Sequence, residues 1–212
     1  MDKALEGIRA LDFSRFKAGP TCAQILADMG AEVIRVEKPG GDFDRELAPF
    51  TPDGQSLYLA YTCRNKKGIT LNLKKQEGRE IFQRLVEQAD IVLENFGPIV
   101  NKRLGLDYQT LKEIKRDIVV VAVSTYVQNG HYASRTGYDG IIQGVSGLMW
   151  VTGFPEGKPV KIGGSFIDIA AGIYGALGVL LALRHRDRIG KGQLIDVSLL
   201  DIAMNFMESI FG

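Results

Sequence analysis

The chain has 212 residues, 45% of them hydrophobic and 24% charged, with 25 glycines and 7 prolines in no fixed period. That composition excludes intrinsic disorder and collagen-like repeats, and the length allows a core that buries roughly 70% of the unfolded surface. Lys and Arg number 26 against 25 Asp and Glu, a net charge of +1, which excludes a dedicated nucleic-acid binder and leaves any anionic ligand to a few placed cations.

The elements read in chain order as strand then helix. Residues 7–13 (GIRALDF) are apolar and β-branched enough for a buried strand. After a loop, Pro20 opens a helix that runs through Gln24 to Met29 and stops at Gly30. Residues 32–36 (EVIRV) form the next strand, ended by Pro39, Gly40 and Gly41, and residues 69–73 a short one. Residues 77–89 carry Ile81, Phe82, Leu85 and Val86 at helical spacing. A strand follows at 90–93, then a short helix around Leu111 and Ile114, then residues 118–123 (IVVVAV), the strongest strand signal in the chain. A long helix spans 168–186, a last strand 194–197 and a last helix 199–211.

Strands alternating with helices specify an α/β fold, an open parallel sheet with helices on both faces. Ligands then bind beyond the carboxyl ends of the strands. The informative segments are therefore 14–20, 37–42, 94–97 and 124–138. No repeat or linker divides the chain. The N-terminal MDKALEGIRALDF has no signal-peptide pattern, and the longest apolar run, residues 169–183, has 15 residues, short of the ~18 a membrane span needs. A cytoplasmic protein without a membrane partner is the expectation.

Several chemistries find no motif. There is no Walker A sequence, no GxGxxG opening the first helix and no GxSxG elbow. Cys22 and Cys63 stand outside any CxxC or Cys/His cluster, so neither a disulfide scaffold nor a metal site is expected. Gly172, Gly175 and Gly178 recur at period three in an apolar helix and read as a close-packing face. His185 sits among charges at a helix end, and His131 in a Gly-rich loop. Asp168 stands where the long helix begins, after GGSFI. It reads either as an N-cap or as a carboxylate kept ionised by the helix N-terminus and able to act as a nucleophile, with Gly163 and Gly164 giving a substrate access.

Seven blocks in order carry a resemblance. They are LEGIRALDF with Ala18-Gly19-Pro20, LADMGAEVIRVEKPGGD, RNKKGITLNLK, DIVLENF, GYDGIIQGVSGLMWVTG, and IDIAAGIYGALGVLLALRHRDRIGKGQLIDVSLLD and its flanks. Together they resemble family III CoA-transferases of the CaiB/BaiF type, from about residue 5 to 212. The resemblance implies a Rossmann-like large domain and an Asp nucleophile aligned with Asp168. Its carboxylate would exchange acyl partners through mixed anhydrides and an aspartyl-CoA thioester. It also implies coenzyme A, as acyl-CoA substrate, contacted by Phe16, Lys17 and Ala18, then Lys38, then Leu71, Asn72, Leu73 and Lys74, then Asn95, Phe96 and Gly97, then Arg103, and finally Thr136, Gly137 and Tyr138. Surface charge is the plainer reading of Lys38, Lys74 and Arg103, although the phosphates of CoA give such cations a purpose.

Two departures matter. The racemase branch carries a His where this chain has Gly137-Tyr138-Asp139, and Tyr, with a reference pKa of about 10, is a poor proton carrier near neutrality. Transfer to a carboxylic acid is therefore favoured over racemisation, and a CoA-binding module without catalysis of its own is the other alternative. Family members are also longer. The resemblance makes residues 1–212 the N-terminal CoA-binding portion of the large domain, without the small domain and the return segment. The expected partner is a second copy, as in the interlocked dimer, or a complementary C-terminal chain, which would cover Ile202, Met204, Phe206 and Phe211.

Overall fold

The computed structural model describes residues 3–207. Six strands, β1 (Arg9–Asp12), β2 (Glu32–Glu37), β3 (Lys66–Thr70), β4 (Ile91–Glu94), β5 (Val119–Ser124) and β6 (Leu194–Ser198), form one parallel sheet in the order β3-β2-β1-β4-β5-β6. The chain winds outward from β1 in one direction and then from β4 in the other. The crevice at the carboxyl ends of β1 and β4 is therefore the switch point where doubly wound sheets bind ligands.

Side-chain alternation sends each central strand into two cores. Val119, Val121 and Val123 of β5 join one buried cluster, and Val120 joins the other. The first cluster is covered by α1 (Ala18–Asp28), α8 (Phe166–Ile189) and α9 (Leu199–Asn205), the second by α3 (Gln76–Glu87) and α5 (Tyr108–Ile114). Both faces are thus packed, as the apolar strands require.

Several boundaries differ from the sequence reading. α1 starts at Ala18, so Pro20 occupies its third position, where the missing N–H is one the first turn leaves unpaired anyway. β3 is Lys66–Thr70 rather than 69–73. As an edge strand it tolerates Lys66 and Lys67, and the Lys66 ammonium folds inward to Asp12. The long helix begins two residues before Asp168. The last helix ends at Asn205; Phe211 lies outside the described residues. Of the residues expected on an uncovered face, Met204 and Phe206 are exposed, whereas Ile202 is buried against the sheet core. Short helices α2 (Leu57–Thr62), α4 (Pro98–Leu104), α6 (Asp139–Val145) and α7 (Leu148–Val151) lie in segments for which the sequence pattern predicts no element.

With 24 residues, α8 is long and apolar enough to cross a membrane by length and composition. In the fold it lies against the sheet, burying Ile167, Ala171, Gly175, Val179 and Ala182. Its glycine row does what the period suggested. A Cβ on Gly172 would sit 2.6 Å from the Cβ of Thr21 and 2.9 Å from the carbonyl oxygen of Ala18. One on Gly175 would meet Cys22 of the same helix α1. The absent side chains let α1 and α8 touch backbone to backbone beneath the site.

Candidate active site

The loop after β1 is built around a buried ion pair. The Lys66 ammonium lies 2.8 Å from Asp12 and donates to the carbonyl of Pro20 at 3.0 Å. Asp12 accepts from the backbone N–H and the hydroxyl of Ser14. Burial alone would raise the Asp12 carboxyl, but the charge and hydrogen bond of Lys66, with the Ser14 hydrogen bond and the Arg35 charge, outweigh it and hold the group below the ordinary carboxylate value.

Two residues on, Phe16 adopts φ +61°, a left-handed conformation that costs a side-chain-bearing residue on the order of 1 kcal/mol or more. Its N–H is held by the carboxylate of Asp44 at 3.0 and 3.2 Å, and Asp44 in turn by Arg35 at 2.9 Å. The result is a Phe16 ring standing edge-on to Tyr138, centroids 5.4 Å apart. Asn95, after β4, reaches across the crevice: its amide accepts from the N–H of Arg15 (2.8 Å) and donates to the carbonyl of Arg15 (2.7 Å). Glu94, buried beneath, accepts from the Phe96 N–H at 2.8 Å, and burial pushes its carboxyl up to about 8.

These loops enclose a cleft of two lobes. The larger, about 360 Å³, is lined by Phe16, Lys17, Ala18, Asn95, Phe96, Gly97, Thr136, Gly137, Tyr138 and Asp168, among others. The smaller, about 210 Å³, is lined by Lys38, Leu71, Asn72, Leu73, Lys74 and Arg103, with Phe96 again. Every site residue that the resemblance named therefore lies on one lobe or the other, whereas Gly163 and Gly164 line neither. Arg15 lines both, its guanidinium stacked 4.4 Å above the Phe96 ring. It is not among the residues the resemblance implies, although it falls in the 14–20 loop. Glu37 and Asp42 also line the smaller lobe, paired with Arg45 at 2.5 Å and Arg15 at 4.0 Å. Lys38, Lys74 and Arg103 have no carboxylate partner among the described residues. They are exposed cations at a lobe with room for an anion.

Asp168 occupies the first turn of α8 but is not its N-cap. Ser165 holds that position and its side chain makes no capping bond. The Asp168 carboxyl faces the larger lobe and is pushed up to about 7, by burial first and by the neighbouring Asp139 second, against the opposing charge of Lys17. The Lys17 ammonium rests 4.1 Å from the centre of the Tyr61 ring, a cation–π contact at the rim. Thr125 at the end of β5 fixes Gly137, donating to its carbonyl (3.0 Å) and accepting from its N–H (2.9 Å). His131 and His185 line neither lobe.

Fold and site together define a doubly wound α/β protein that presents a half-buried carboxylate and a set of free cations at its switch-point crevice. The chain belongs to the CoA-transferase family III, whose model matches residues 5–212. It is similar to the succinate–glutarate CoA-transferase of Agrobacterium fabrum, 43% identical over 205 residues that cover 93% of this chain and 51% of the relative. It is also similar to the succinyl-CoA–D-citramalate CoA-transferase of Chloroflexus aurantiacus, 39% identical, covering 98% and 52%. Among solved structures, a CaiB/BaiF family protein from Brucella suis superposes with a TM-score of 0.93 at 38% identity, covering 99% of this chain and 56% of that one. The chain thus spans about half the length of the relatives it matches.

Proposed function

We propose that this chain is the CoA-binding, nucleophile-bearing portion of a CoA-transferase that moves CoA from an acyl-CoA to a carboxylic acid. The observation that carries the reading is the position of Asp168 on the same lobe as the Phe16–Ala18 loop, with the free cations of the second lobe next to it. Lys38, Lys74 and Arg103 are suited to the phosphates of CoA, and the larger lobe to its thioester end. The names of the relatives favour small dicarboxylic acids as donor and acceptor.

The reaction moves electron pairs only. An ionised Asp168 oxygen attacks the thioester carbonyl, the C–S bond breaks, and CoA thiolate leaves a mixed anhydride on Asp168. The thiolate then attacks the aspartyl carbonyl and expels the donor acid as its carboxylate. The acceptor carboxylate repeats the exchange on the aspartyl thioester, and the returning thiolate takes the acceptor acyl group and frees Asp168. No proton is gained or lost overall. Lys17 near Asp168 offsets negative charge as it develops.

A nucleophile of this kind works only when ionised. Because its carboxyl titrates near 7, CoA exchange is expected to fall about tenfold per unit as pH drops below that value and to level off above it. A rate profile of exchange from pH 5 to 9 tests this. A profile flat down to pH 5 would speak against an Asp168 raised in this way.

The partner follows from exposed apolar surface. Ile173, Leu177, Leu180 and Leu181 of α8 are exposed, and Trp150 and Phe154 of the α7 region are 79% and 88% exposed. The four α8 residues share one helical face by their spacing, and a contiguous apolar face is uncommon on a monomer. The chain is expected to self-associate or to bind a chain of the kind that completes its relatives. Sedimentation at micromolar concentration is predicted to give a dimer or larger, and a clean monomer indifferent to such a chain would refute it.

A further inference from the structure

Helix α6 begins one residue after Tyr138, at Asp139, a buried carboxylate that the transfer chemistry does not use. Its Oδ2 accepts from the backbone N–H of Ile167 at 2.7 Å and of Asp168 at 3.1 Å. Its Oδ1 accepts from the side-chain amide of Gln143, one turn along α6, at 2.5 Å. The other end of that amide accepts from the N–H of Ile162 at 2.8 Å. The Asp139–Gln143 pair therefore grips the chain on both sides of Gly163-Gly164-Ser165, the stretch that leads into the turn bearing Asp168. Gly163 and Gly164 are exposed and supply no side chain to fix that stretch. Ser165 supplies no cap. The capping of α8, ordinarily a local task, falls to a residue 29 positions upstream of Asp168.

We propose that Asp139 is a positioning residue for Asp168: with Gln143 it clamps the turn that presents the nucleophile and sets a second negative charge behind it. The inference rests on the reading of Asp168 as the nucleophile. A neutral residue could satisfy the same N–H groups, since serine, threonine and asparagine all cap well. A carboxylate adds charge. The charged groups that act on Asp168 are Asp139 from α6 and Lys17 from the loop before α1, and Asp168 in turn acts on the phenol of Tyr58 from α2. Asp139 opposes ionisation and so keeps the carboxylate basic, and Lys17 pulls the other way. A more basic carboxylate is a better nucleophile toward a thioester once ionised. The geometry thus couples the place of the attacking oxygen to its reactivity through one side chain.

The test is a titration of the Asp168 carboxyl in the full chain by 13C NMR, its signal assigned by its absence in Asp168→Asn. Asp139→Asn retains an oxygen acceptor for the two N–H groups and removes only the charge. We expect the Asp168 midpoint to fall by about one pH unit in that variant, with amide exchange at Ile167 and Asp168 little changed. Asp139→Ala is expected to lower the midpoint and also to speed exchange at both amides. Gln143→Met, which leaves the charge in place, is expected to leave the midpoint where it is and to speed exchange at Ile162. An unmoved midpoint in Asp139→Asn would overturn the proposal, as would unchanged amide exchange in Asp139→Ala. If Asp139→Ala fails to fold, Asp139→Asn and Gln143→Met decide alone. The titration needs no turnover. A shifted midpoint beside full transfer activity in Asp168→Asn would therefore count against the nucleophile and not against the coupling.

Discussion

Replacing Asp168 by asparagine is expected to cut the rate of CoA exchange by roughly 10³-fold or more, in an assembly that is active with the native sequence. The amide is nearly isosteric and sits in the first turn of a 24-residue helix whose cap comes from Asp139, so the fold should be untouched. What is lost is the ionised oxygen that, on the proposed reading, attacks the thioester. On that reading, CoA itself is held by the cations and backbone of both lobes. Its affinity by calorimetry should therefore change by no more than about threefold, because the chemical step and not ground-state binding is affected. A variant that loses affinity and rate in proportion would mean that Asp168 serves binding. One that keeps its rate would remove it from the chemistry.

Lys66→Ala is the substitution expected to cost most in stability. The Lys66 side chain is 1% exposed, and its ammonium is the cation closest to the fully buried Asp12. Its removal strands a carboxylate in the sheet, and breaking a buried pair in this way typically costs about 3–5 kcal/mol. The midpoint of urea unfolding at neutral pH reads the loss. The sign with pH follows from Asp12. Its folded value lies below the ordinary 3.8, so the pair stabilises the protein above that value and ceases to do so as pH falls through the folded one. The gap between native and variant should therefore narrow in acid. Removing both charges, as Asp12→Asn with Lys66→Met, should recover part of the loss. Because Asp12 also holds Ser14, the single variant should loosen the loop that carries Phe16 and Lys17 and weaken CoA binding as well. A loss below about 1 kcal/mol would indicate that water reaches Asp12 in place of the ammonium.

The frame of this fold was legible where burial leaves a one-dimensional trace. The unbroken run of residues 118–123 contains a central strand packed on both faces, and the glycines of α8 mark its contact with α1. β3 was displaced by three residues because an edge strand can carry Lys66 and Lys67, and the inward turn of Lys66 has no signature in the sequence. α4 does carry a signal, Pro98 at its start and Gly105, with φ +73°, just past its end. α2, α6 and α7 are too short for a period to emerge. The lining of the cleft was largely accessible because a parallel sheet gathers the loops that follow its strands at one edge. The use of Asp139 was not accessible. Its spacing to Gln143 suggests only a local helical pair, and its bonds to Ile167 and Asp168 exist only once α6 lies across the start of α8. The same holds for Asn95, whose amide is spent on the backbone of Arg15, 80 residues away.

The central claim is that Asp168 is acylated during CoA transfer. The most direct measurement is to incubate the assembled enzyme with an acyl-CoA, quench with hydroxylamine and locate the modification by peptide mass spectrometry. Attack on the activated aspartyl carbonyl would leave a hydroxamate on the peptide that contains Asp168, dependent on acyl-CoA and absent from Asp168→Asn. Steady exchange with that peptide unmodified, or with the hydroxamate on another carboxylate, would contradict it.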